Sequence, residues 1–349
     1  METELIEKIK GSITNIEQKK HKLYFFVQDT RGNAKASLSY MYEMALTLKN
    51  DGFNVIMLHE KNDFIPVTSW MGESYGELTH QSVEGTNLQI SPEDIIVVPE
   101  IFGYIMEQVK NLPCGKIVLC QAYDHMLETL NPGVNWNQLG FMKCITTSET
   151  QKESIEKIMK RITIDIVEPV IYESFRKQEL PPKPIIGMVS REQRVGINII
   201  KQFYLKYPQY RFFTFRDLRG LSREEFANTL QDCFLGVWVD PTSGFGTFPL
   251  ECMKSNVPVL GQIPYLKPSW MTEKNGVWTD NPNHMVDIIA DIVQTWLEDN
   301  MLEELYTEGE KTAEQFSNRT EFENKVVTIF SEFSDKRKEA FESQIEKQN

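Results

Sequence analysis

No apolar run in this chain reaches the ~18 residues needed to cross a membrane. The start, METELIEKIKGSITNIEQKKHK, is charged and helix-like and lacks the apolar stretch of a secretory leader. Cysteine is scarce: Cys114, Cys120, Cys144, Cys233 and Cys252 are an odd number, and no two form Cys-x-x-Cys. Four of them lie in or beside apolar segments, so buried, reduced thiols and a reducing, cytoplasmic compartment are expected rather than a disulfide framework. The five histidines show no metal-ligand spacing, and no metal site is expected. Positive charge is in deficit, with a formal net charge of −13, which repels a polyanionic partner at long range. A Gly-x-Gly-x-x-Gly after the first strand is also missing, as is the ribose acid that follows it. An NAD-type oxidoreductase therefore ranks well below the readings that follow.

What is present is 349 residues, enough for two ordinary cores, with the 41% hydrophobic and 25% charged content of a soluble globular chain. Apolar runs of strand length alternate with helical patterns. Strands are expected at 22–29, 53–58, 94–99, 116–122, 143–148 and 165–170, with helices at 37–52, 101–111 and 149–161 between them. Near-continuous apolar strands separated by helices indicate a parallel sheet covered on both faces. YESFRKQELPPKP (172–184) is polar and holds three prolines, and is read as a linker. The pattern then restarts, with strands at 185–190, 210–215, 234–240, 257–261 and 276–279 and helices at 195–207, 221–233, 283–298 and 301–316. A charged helix spans about 319–345. The expected organisation is an N-terminal α/β unit (1–171), the linker, a C-terminal α/β unit (185–318) and a final helix (319–349). Two open parallel sheets facing each other make a cleft, and ligands favour the C-terminal ends of their strands.

The stretch DPTSGFGTFPLECMKSNVPVLG (240–261) carries the chemistry. A buried strand delivers the chain to the sheet edge. Gly244 and Gly246 permit φ > 0 and close backbone approach. Thr247 is placed to cap a helix, and Pro249 is tolerated in its first turn. The unpaired N–H groups of that turn suit a phosphate. Glu251, about one turn in, cannot hold a phosphate but can accept from ribose hydroxyls. Backbone N–H for phosphate together with acid for ribose means a nucleotide-linked ligand. The bland alternative is an ordinary strand-to-helix turn with an incidental glutamate, which Gly-x-Gly alone would favour.

SGFGTFPLECMKSNVPVLG resembles the signature of GT-B glycosyltransferases of the large retaining family 4 group. The resemblance implies two Rossmann-like domains with an interdomain cleft, a nucleotide-diphosphate sugar as donor substrate, no separate cofactor and no required metal. It places Gly244, Phe245, Gly246 and Thr247 beside the donor and Glu251 on its ribose. Ser243 stands where the family has a first acid. IIGMVSREQRVG resembles the strand and loop that hold the diphosphate, which points to Arg191 and Arg194. The loop QDTRGNAKAS occupies the place of the family's Gly-Gly turn, with Gly32 and Asn33 as donor-binding candidates and Arg31 and Lys35 as further cations. KIVLCQAYDHML resembles the strand whose histidine faces the donor sugar; Gln121 holds about that place, and His125 follows as a polar contact or proton carrier. Glu100 is a second candidate on the acceptor side. The expected activity is hexosyl-like transfer with retention to an unidentified hydroxyl acceptor, which could be a glycan, lipid, protein or modified nucleic acid. A different class stays open: a nucleotide-sugar-binding partner protein with little or no turnover.

Overall fold

The computed structural model describes residues 21–33, 35–86, 88–177, 181–298 and 302–348. The charged start (1–20) and the middle of the expected linker (178–180) lie outside the described residues. In the first half, β1 (Lys22–Phe26), α1 (Ala36–Asn50), β2 (Asn54–His59), a single turn α2 (Thr68–Met71) and β3 (Thr79–Ser82) come first. They are followed by β4 (Ile95–Pro99), α3 (Gly103–Val109), β5 (Gly115–Cys120), α4 (Tyr123–Thr129), β6 (Lys143–Thr146), α5 (Glu149–Ile158) and β7 (Thr163–Ile166). All seven strands run parallel in the order β3-β2-β1-β4-β5-β6-β7. β1, β4 and β5 are buried along almost their whole length, because helices cover both faces of the sheet. β3 is the strand that periodicity misses. Its residues, Thr-His-Gln-Ser, are polar, and it lies at the sheet edge, where no second neighbour demands apolar side chains.

The second half contains β8 (Lys183–Ser190), α6 (Gln193–Lys206), β9 (Thr214–Asp217), α7 (Arg223–Gln231), β10 (Cys233–Val239), α8 (Thr247–Lys254), β11 (Val259–Gln262) and β12 (Val277–Thr279). Helices α9 (Met285–Leu297) and α10 (Glu303–Glu314) complete it, and α11 (Arg319–Gln348) ends the chain. Its five parallel strands are ordered β12-β11-β10-β8-β9. β9 starts later than its apolar run suggests, because a 3₁₀ turn takes Pro208–Tyr210. Part of the segment read as linker is not solvated: Phe175, like Ile171 just before the linker, is buried in the core beside Leu250 and Trp270 of the second half. α11 returns to the first half. Phe322, Val326, Ile329 and Phe330 fall on one helical face and are buried with Leu23, Phe25 and α1.

Both sheets present a switch point, where consecutive strands depart to opposite sides: β1 between β2 and β4, and β8 between β9 and β10. The two C-terminal edges meet. The Ser148 hydroxyl, at the end of β6, donates to the Gly244 carbonyl at 3.3 Å, and Arg191 of the second half donates to His125 Nε2 of the first.

All five cysteines are buried thiols. Burial raises the Cys120, Cys144 and Cys252 thiols above their ordinary value, and Cys233 to about 12. A thiol reagent should therefore react slowly with native protein and titrate all five after denaturation without reductant. Recovery of only three would reveal a disulfide and contradict the arrangement.

Candidate functional site

A cavity of about 180 Å³ lies between the facing edges. One wall is the first half of α1, with Lys35 before it and Ser39 and Glu43 on it; the other is the start of α8, with Thr247, Phe248 and Glu251. The floor is apolar and aromatic, including Trp70, Phe175 and Phe226.

The glycine loop reaches this cavity by an unusual turn. Gly246, not Thr247, occupies the N-cap of α8, with φ +81°. The left-handed conformation excludes most side chains, and a Cβ there would approach Trp238 and Trp270 at 3.1 and 3.2 Å. Thr247 is instead the first helical residue; it is half-buried and lines the cavity, and its side chain caps nothing. The Trp270 indole N–H donates to the Phe245 carbonyl at 2.9 Å, and the Phe245 ring meets Phe316 edge-on at 5.1 Å. The loop is thus pinned from behind, and the first N–H groups of α8, which have no acceptor within the helix, belong to Thr247 and Phe248, residues that line the cavity. Phe245 itself is core, not cavity lining.

Glu251 lines the cavity half-buried, and no hydrogen bond or ion pair reaches its carboxylate among the described residues. Burial pushes its carboxyl up to about 7, against the pull of the Arg223 guanidinium. A desolvated acid without a partner is costly unless a ligand supplies donors. Ser243 is half-buried and likewise makes no hydrogen bond among the described residues.

The basic candidates separate. Register places Ser190 beside Val239, and the Arg191 N–H continues the ladder to the Val239 carbonyl at 2.9 Å. Arg191 therefore leaves the sheet edge next to Asp240, 3.7 Å from its carboxylate, and reaches across to His125. Because arginine only donates, His125 Nε2 accepts and its Nδ1 carries the proton, 3.9 Å from Glu100 Oε1. Burial and then Arg191 hold His125 below its ordinary value, so it is neutral near pH 7. Glu100 is buried and accepts from the Ala122 N–H at 2.9 Å; burial raises its carboxyl to about 7. Arg194 is exposed in the first turn of α6, outside the cavity lining.

The loop after β1 departs most from expectation. Arg31 and Gly32 form a left-handed pair at φ +53° and +75°. Asn33 is spent inside the turn, its amide donating to the Thr30 carbonyl at 2.7 Å. Arg31 is paired with Asp63 at 2.8 Å and faces away. Neither Gly32 nor Asn33 lines the cavity, whereas Lys35 does, lowered from its ordinary value by burial and by Arg191. Arg219 and Arg223 also line it and were missed. So was Glu43, although a single acid inside SLSYMYEMALTLK is a visible signal of a buried ionic partner.

No protein-family model matches the chain. It is 23% identical over 227 residues, 63% of its own length, to an α-1,6-glucosyltransferase of Actinobacillus pleuropneumoniae serotype 7, of which the match spans 66%. Among solved structures it is similar to a sucrose-phosphate synthase of Thermosynechococcus elongatus, with TM-score 0.65 and 12% identity over 90% of this chain and 99% of that one. It is also similar to Anabaena HepE crystallised with UDP-glucose, with TM-score 0.61 and 10% identity over 89% of this chain and 99% of that one. The two parallel sheets with facing C-terminal edges are the GT-B arrangement of these glycosyltransferase structures.

Proposed function

We propose that the chain is a glycosyltransferase that moves a sugar from a nucleoside-diphosphate sugar to a hydroxyl acceptor, with retention and without a required metal. The observation that carries this reading is the unpartnered Glu251 carboxylate beside the first turn of α8. It matches a ribose next to a diphosphate, and little else satisfies both groups. The glucosyltransferase relative and the UDP-glucose complex of a similar fold support it.

The chain works as two domains, the first ending near residue 171 and the second near 318. A cavity of about 180 Å³ is smaller than the ~300 Å³ lower bound of ordinary ligand sites. The halves therefore part to admit the donor and close over it, excluding water. Glu251 holds the ribose hydroxyls, and the N–H groups of α8, with Lys35, hold the diphosphate. Arg191 turns from His125 to the leaving group. The bond between the sugar's anomeric carbon and the diphosphate oxygen breaks, its electron pair going to that oxygen. The acceptor oxygen bonds the same carbon from the same face, and its proton passes to the leaving phosphate oxygen. Neutral His125 offers its freed Nε2 to a sugar hydroxyl. The buried thiols fit a reducing, cytoplasmic setting.

Purified chain, incubated with UDP-, GDP- and ADP-sugars and a panel of hydroxyl acceptors, should release nucleoside diphosphate from one donor, with or without EDTA. Ser243 favours one rival, since a neutral hydroxyl replaces the acid that the resemblance expects on the donor sugar. Tight nucleotide binding with no release from any donor would establish the binding-partner reading instead. Neither binding nor release would remove both.

A further inference from the structure

Glu43 lies in the middle of α1 and is 1% exposed. Its carboxylate takes Arg223 at 3.3 Å, Arg319 at 3.1 Å and the Tyr75 hydroxyl. The Arg223 guanidinium also stacks on the Tyr172 ring, 3.4 Å from its centroid. Tyr172 follows the first crossover between the halves, and Arg319 stands at the return crossover. Glu43 thus joins both crossovers to α7.

Arg223 also acts electrostatically on a second carboxylate, that of Glu251. It is the first residue of α7, and Phe226, three residues on, shares its face. Phe226 meets Phe248 of α8 edge-on at 6.0 Å, and Glu251 lies three residues beyond Phe248. Arg223 and Glu251 are therefore on facing sides of two packed helices and line the same cavity. One cation serves two acids: Glu43 from the first half and Glu251 from its own half.

We infer that Glu43 is a positioning residue for Glu251: by holding Arg223 from across the cleft, it leaves the Glu251 carboxylate open to ligand hydroxyls when the halves are together. This rests on the ribose reading above. When the halves part, Glu43 withdraws with α1, and Arg223 falls back on Glu251. Closure then exchanges one carboxylate for the other: Arg223 passes to Glu43, and Glu251 is left for the ligand's hydroxyls to satisfy as the cleft forms. The other charged or titratable groups that line the cavity with Glu251 are Lys35 and Tyr40 from the α1 side, Arg219 from the loop after β9 and Tyr172 from the crossover; Cys252 adjoins it on its own helix.

The test is a carboxyl-¹³C titration of Glu251 in ligand-free protein, in which the halves stand together. The wild-type midpoint should lie near the value of about 7 that burial sets. In Glu43→Gln it should fall by about one unit or more, because Arg223 turns onto Glu251. The fall should vanish in Glu43→Gln/Arg223→Met, since it depends on that cation. An unmoved midpoint in the single variant overturns the inference. So does a fall that persists in the double variant, which would reflect only the loss of like-charge repulsion. A purely structural Glu43 would lower the melting temperature and leave the midpoint in place. Should Glu43→Gln not fold, Glu43→Asp carries the same cycle with a smaller displacement. UDP titration runs alongside: Glu43→Gln should bind about ten-fold more weakly at pH 7.5. A wild type that binds no nucleotide defeats the ribose reading, while the carboxyl titration still decides the role of Glu43.

Discussion

Gly244→Ala should lower sugar transfer by about a hundred-fold or more while leaving nucleotide binding to the second half nearly intact. The reason is a contact between the halves, not backbone strain, because the φ of Gly244 is not in the left-handed region. A Cβ at this position would stand 2.2 Å from the Gln121 carbonyl oxygen and 2.3 Å from Gln151 Nε2, both in the first half. The Gln151 amide could turn aside, but the Gln121 oxygen is backbone at the end of β5 and cannot. The halves must stay apart by about an ångström or more, and the Ser148–Gly244 hydrogen bond is lost. Displacement on that scale is enough to remove the alignment on which transfer depends. Small-angle scattering of the variant with UDP should show a wider particle than wild type, with a thermal melt changed little. Unimpaired transfer would mean that the active form does not close through this loop.

Glu251→Gln should weaken nucleoside-diphosphate affinity by about ten-fold or more, the equivalent of losing a charge-assisted bond of about 1.5–3 kcal/mol. Wild-type affinity should rise as pH climbs through about 7, where the carboxyl ionises, and the variant should show no such rise. Stability moves the other way. The folded-state carboxyl sits above its ordinary value of 4.5, so the native state holds a proton that the unfolded chain releases. The contribution of this carboxyl to wild-type stability is therefore greatest below about 4.5 and declines until about 7. The glutamine variant escapes that decline and should melt no lower than wild type at pH 8. Glu100, also raised to about 7, leaves a residual slope in the same window. Calorimetric titration with UDP and thermal melts across pH measure both. Lower affinity accompanied by a lower melt at pH 8 would make Glu251 structural rather than ligand-binding.

The strand-loop-helix course of 240–261 is legible because its signals are local. The strand, the two glycines, Pro249 and the acid one turn on are all within reach of one another in the chain. The strand–helix alternation likewise exposes two parallel sheets, since doubly covered strands must be apolar throughout. What was not legible depends on partners distant in sequence. Arg31 looked available for phosphate until Asp63, 32 residues on, claimed it. Arg191 and His125 are 66 residues apart and come from different sheets, so their meeting has no sequence signature. Glu43 and Arg223 are 180 residues apart. The lone acid in an apolar helix signals a buried partner, but nothing in the sequence says that the partner is Arg223. β3 was hidden for the opposite reason: a polar edge strand has no pattern to read.

In a crystal structure of the chain with bound UDP, both ribose hydroxyls should stand about 2.5–3.0 Å from the Glu251 carboxylate. The diphosphate should lie at the N-terminus of α8, with the Arg191 guanidinium turned away from His125 toward it. A nucleotide bound elsewhere, or in this cleft with its ribose facing away from Glu251, would contradict the ribose role of Glu251.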